Sequence, residues 1–189
     1  MNWTFEELLV ELCAPTIIGY KPASLFRYQP MENVDVYQEV AEWNEKLRDS
    51  GISVMILKGC RCKKAFLIYV FRILPLSNIL MDQKVDKFLA ANGYELGSSV
   101  SSKLSTLSSR LCLSKEFPHE IGIFLGYPLE DVIGFIENDG ENYRYCGHWK
   151  VYGNVKKAMH NFNIYNKCTS YCKNQFAKGY SIARLAVAA

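Results

Sequence analysis

Apolar residues fall at helical spacing from the start of the chain: Phe5, Leu8, Leu9 and Leu12 occupy i, i+3, i+4 and i+7, behind Thr4 and Glu7 at capping-box spacing. The pattern predicts a first helix that ends near Cys13, because Pro15 follows and a proline within a helix removes a hydrogen bond and crowds the preceding turn. Pro15, Gly19 and Pro22 then interrupt the chain, so residues 14–28 read as a loop with one or two short helical turns. Val36, Val40, Trp43 and Leu47 form one stripe of a second helix over 34–49, stopped by Gly51. Residues 52–57 and 65–71 are rich in β-branched and aromatic side chains and flank a Gly-containing turn, the pattern of a β-hairpin.

Residues 75–92 return to helical spacing, with a break near Asp82 and a stop at Asn92 and Gly93. The stretch 98–109 is rich in serine, yet Val100, Leu104, Leu107 and Leu111 keep the helical period and predict a weak helix in place of a linker. In 117–128, Ile121, Ile123 and Leu125 alternate as on a strand, with His119 on the same face. Pro128 suits the first turn of a following helix that carries Leu129, Val132, Ile133 and Ile136. Such strand–turn–helix units commonly border ligand sites. Residues 143–152 are aromatic and loosely alternating, which predicts another strand, and Asn154 caps a long helix reaching about Lys178. About four strands, including a hairpin, with about six helices and a long C-terminal helix define an α/β or α+β fold, read as a single domain over 1–189.

Composition narrows the function classes. The net charge of +3 is too small for the clustered lysine and arginine of a dedicated nucleic-acid binder. The densest basic stretch, Lys58, Arg61, Lys63 and Lys64, reads as the solvated tip of the hairpin. Seven cysteines form no C-x-x-C pair, so reduced thiols are expected in place of a disulfide or zinc framework. The first residues carry Glu6, Glu7 and Glu11 where a secretory leader would be basic and then apolar. The longest apolar run, 65–71, is far short of the roughly 20 residues of a spanning helix. A cytoplasmic protein with no membrane partner is the expectation.

Three stretches carry a resemblance: Cys13-Ala14-Pro15-Thr16, the run FPHEIGIFLGYPLEDVIGFI from Phe117 to Ile136, and Trp149-Lys150-Val151-Tyr152-Gly153. Through them the chain resembles an uncharacterised bacterial family, a domain of unknown function of about this length. The resemblance marks Cys13, Lys21, His119, Glu120, Tyr127, Asp131, Trp149, Lys150 and Tyr152 as family positions. Family members often have a histidine before the Cys-Ala-Pro-Thr unit where this chain has Leu12, which weakens any metal role that needs it. The resemblance also hints at redox or iron metabolism, and implies no established activity or cofactor.

An early cysteine and a later histidine follow the order of papain-like and cell-wall-peptidase-like cysteine enzymes, in which an imidazole lowers the thiol pKa. On this expectation Cys13 is the nucleophile, His119 the base, and Glu120 or Asp131 the group that orients the imidazole, acting on an acyl or amide-type small substrate. Adjacent strand residues face opposite sides, which already tells against Glu120. The competing expectation is a non-catalytic protein that binds or senses a metal, haem or flavin partner. Here Trp149, Lys150 and Tyr152, beside His148, supply a surface for a flat ligand, with Lys21 and Tyr127 as further binding positions. His160, Cys168 and Cys172 share one row of the long helix, but that row coincides with its apolar face and reads as buried core. Cys60 and Cys62 read as thiols of an exposed turn. Nucleotide-loop and zincin motifs do not occur.

Overall fold

The computed structural model describes residues 3–60, 65–114 and 116–187, Cys60 by its backbone alone. Of the predicted basic turn, Lys58 lies in the strand Ile52–Cys60 and its Nζ donates to the Leu111 carbonyl, whereas Arg61, Cys62, Lys63 and Lys64 lie outside the described residues. Helix α1 (Phe5–Ile18) opens behind Thr4, whose side chain and that of Glu7 form the expected capping box. The helix does not end at Cys13; it runs through Pro15 for another turn. Two features hold that turn. Gly19 adopts φ 99° as the C-cap, and the Arg72 guanidinium donates to the carbonyls of Thr16 and Ile17, both at 2.6 Å.

Strand β1 (Ala23–Tyr28) occupies the segment expected to be a loop. It follows Pro22 directly and alternates too briefly to be distinguished by period. Helix α2 (Val36–Leu47) leads through a 3₁₀ turn and Gly51 to β2 (Ile52–Cys60), which pairs with β3 (Ala65–Arg72) as the hairpin predicted. The sheet is antiparallel in the order β1-β3-β2, with β3 in the centre. Helices α3 (Ile73–Leu80), α4 (Gln83–Ala91) and α5 (Val100–Leu113) follow, with Asp82 as the N-cap that breaks α3 from α4.

The central strand is buried on both faces, so each face builds a core. Phe66, Ile68 and Val70 join Leu9, Cys13, Ile17, Trp43 and Leu47 in a first core with Cys168 and Cys172. Tyr69 and Phe71 join Leu76, Leu89, Leu107, Ile123 and Phe124 in a second. Each fully buried aliphatic side chain contributes about 1.5–3 kcal/mol.

The strand expected at 121–125 is a helix. Ile121–Phe124 form the short α6, and Ile121, Gly122, Ile123 and Phe124 are all buried. A four-residue apolar run enclosed on every side has no periodicity to separate strand from helix. Gly126 (φ 78°) and Pro128 then turn the chain into α7 (Leu129–Glu137). The strand expected over 143–152 is a small hairpin, β4 (Tyr145–Cys146) against β5 (Lys150–Val151). The long α8 (Val155–Ala177) and short α9 (Ile182–Leu185) close the mixed α/β fold.

Candidate functional site

Asp131 organises the region between α7 and the small hairpin. Placed in the first turn of α7 and 3% exposed, its carboxylate accepts from Trp149 Nε1 at 2.7 Å and from the backbone amides of Tyr152 and Gly153, both at 2.8 Å. These bonds draw the hairpin back over the helix. The fit needs glycine: a Cβ on Gly134 would lie 2.5 Å from Tyr152 Cγ, so the tyrosine ring lies flat on α7 at that point. Tyr152 Oη donates to the Glu141 carbonyl, and Lys150 Nζ to that of Gly140.

The folded-back hairpin leaves a cavity of about 310 Å³ between itself, α6 and α7. His119, Tyr127, Asp131, Trp149 and Lys150 all line it, together with Phe135, Cys146 and His148. Trp149 stacks on Tyr127 with centroids 4.9 Å apart and meets Phe162 edge-on at 4.5 Å. His119 is exposed and leans on Phe135, 4.9 Å away. Cys146 and Lys150 are register partners across the hairpin, which places both side chains on one face.

The other expected residues lie elsewhere. Cys13 is fully buried in the first core, and burial pushes its thiol from 9.0 up to about 12, against the opposing influence of the Lys21 charge and a hydrogen bond with Ser24. It does not line the His119 cavity. The structure therefore does not bring Cys13 and His119 together as a thiol and its base. Glu120 does not orient the imidazole either: Arg110 Nε donates to its Oε1 at 2.6 Å and Tyr94 Oη donates to the same oxygen at 3.1 Å. Asp131 has its oxygens taken by the three donors above. Lys21 is half-buried against the rings of Tyr127 and Tyr165, 5.5 and 6.0 Å from their centroids, and desolvation lowers its ammonium to about 8.

His160 is exposed, while Cys168 and Cys172 are buried as the apolar face of α8 predicted. Among the described residues no three His, Cys, Asp or Glu side chains form a group able to hold a metal. Phe135 and Cys146 are lining residues of this cavity that sequence reasoning missed, as it missed Arg110, the partner of Glu120. Cys146, His148 and Lys150 do alternate along the chain, a signal for a shared face, whereas nothing in the serine-rich helix singled out Arg110.

A family model described as a protein of unknown function, DUF3793, matches residues 9–186. The chain belongs to the DUF3793 family. No curated protein and no solved structure matches it. The matched span of this DUF3793 chain includes both the buried Cys13 and the whole His119 cavity. Among its described residues no helix is long and apolar enough to cross a membrane.

Proposed function

We propose that this protein binds a planar, largely apolar small molecule in the cavity between α6, α7 and the small hairpin. The observation that carries this reading is the convergence of Tyr127, Trp149 and Phe135, with His119 and Lys150, on one space of about 310 Å³. That volume falls at the lower end of the roughly 300–1,000 Å³ of ordinary small-ligand pockets. Aromatic walls favour a flat ring system, such as a nucleobase or isoalloxazine, over a flexible chain. The presence of flavin or haem chemistry nearby would accord with the redox setting that the family resemblance implies. The geometry gives a Cys13 nucleophile no support, because the residue is buried in the first core and does not line the cavity that His119 borders.

A cytoplasmic setting fits the thiols. Cys13, Cys168 and Cys172 are free and buried in one core, an arrangement suited to a reducing compartment.

Trp149 supplies the test. In a Trp3→Phe, Trp43→Phe background, titration with riboflavin, adenosine or naphthol is expected to quench Trp149 fluorescence saturably with at least one compound. The same compound should raise Tm; at a hundredfold excess over Kd the stabilisation is about 2.7 kcal/mol. The reading is overturned if no planar compound saturates below about 1 mM, the affinity of weak nonspecific contact.

A further inference from the structure

Arg110 extends from the last turn of α5 into a second, open cavity of about 430 Å³. Its guanidinium is fixed along one edge and one face: Nε donates to Glu120 Oε1, and Cζ lies 5.7 Å from the Tyr94 ring centroid. Glu120 is itself 2% exposed and held by Tyr94, so the anchor is rigid. Among the described residues no acceptor takes either terminal nitrogen of Arg110, and its side chain is 33% exposed. Asn92 and Ser114 add polar groups to the wall. His119 lines this cavity and the aromatic one alike, so a single imidazole borders both spaces.

We infer that the two cavities form one bipartite site: the planar part of the ligand lies against Tyr127 and Trp149, and an oxyanion attached to it reaches past His119 to the Arg110 fork. This rests on the planar-ligand reading above and adds the chemical class, an aromatic carboxylate or phosphate. A guanidinium held by Nε presents its remaining donors in the planar geometry that receives such a group through paired hydrogen bonds. Glu120 is directed at Nε and does not occupy the fork. The exposed Glu116 at the rim opposes an anion, and solvent and salt screen it.

The test uses the full chain and four naphthalene probes: naphthyl phosphate and naphthoate against the neutral naphthol and naphthamide. The charged pair is expected to bind at least about tenfold more tightly, the effect of hydrogen bonds to a charged group. Arg110→Lys retains a cation beside Glu120 but removes the fork. It should abolish most of that advantage while leaving the neutral probes unchanged. Arg110→Gln should do the same if it folds, and Arg110→Lys keeps the test intact if it does not. Equal affinities in the unmodified protein, or an advantage that survives both variants, overturn the inference and leave the planar-ligand reading standing. Failure of all four probes overturns both. Inorganic phosphate alone should shift the His119 ring-proton resonances in the unmodified protein and not in Arg110→Lys; a shift of the same size in both overturns the anion half independently of any aromatic binding.

Discussion

At the scale of single residues, the decisive groups are buried ones whose partners set their chemistry. Asp131 is buried and satisfies three donors, and removing it leaves Trp149 Nε1 and two amides without acceptors. Asp131→Ala should therefore cost about 3 kcal/mol in urea unfolding, more than a surface carboxylate would. Cys13 makes the opposite case, a reactive residue type rendered inert. Alkylation at pH 8, mapped by mass spectrometry, should modify the exposed Cys112 and Cys146 in the native protein and reach Cys13 only after unfolding. The raised thiol also gives a pH signature. The native state keeps this proton up to about 12 while the unfolded chain releases it near 9.0, so its contribution to stability is full below pH 9 and is lost between about 9 and 12. Lys21 acts with the other sign. Its ammonium is depressed from 10.5 to about 8, so its buried charge destabilises the fold below pH 8 and the penalty is relieved as pH rises toward 10.5. Lys21→Met should raise stability at pH 7, on the order of 2 kcal/mol, with the gain over the unmodified protein shrinking across that window in denaturant titrations at successive pH values.

At the scale of elements, close approaches settle what local pattern leaves open. The 143–152 segment alternates as a strand would, yet it folds back as a two-rung hairpin because Asp131 pins Tyr152 and Gly153 to α7. Gly134 makes the approach possible. Gly134→Ala would gain up to about 1 kcal/mol of helix propensity, but its Cβ would enter the Tyr152 ring, an overpacking that costs about 1–3 kcal/mol. The clash wins. The variant should have a lower Tm and lose planar-ligand binding, read by Trp149 quenching, because the cavity wall is displaced. Helix α1 shows how tertiary hydrogen bonds override a local stop signal: Pro15 removes one helix bond, and Arg72, 56 residues from Thr16, holds the carbonyls of the final turn. The capped ends at Thr4 and Asn154, and the break at Asp82, were legible because each cap is a bond within three residues, whereas Ser99 was one serine among several. The four-residue α6 was not, since its burial comes entirely from other parts of the chain.

At the scale of the whole molecule, β3 couples the cores. Ile68 and Val70 enter the first and Tyr69 and Phe71 the second, and Tyr69 Oη donates to the Phe124 carbonyl of α6. Neither core can be lost without exposing the reverse face of the same strand. Trp149 belongs to a third cluster, with Val151, Phe162 and Tyr165, that meets the second core through Tyr127, so single-tryptophan variants retaining Trp43 or Trp149 should report coincident denaturant midpoints; separated transitions would show that these parts are independently stable. What the residue order determined alone was everything carried by short-range period and capping: the mixed α/β class, the central hairpin, the long C-terminal helix and its buried cysteine face. It also singled out five residues that line one cavity, although by motif and without their mutual distances. Tertiary structure alone decided that Cys13 is sealed in the first core, that Glu120 turns to Arg110 and that His119 borders two cavities. Those outcomes depend on which surfaces meet between separate elements, and a hydrophobic pattern specifies that a face is buried without specifying what buries it.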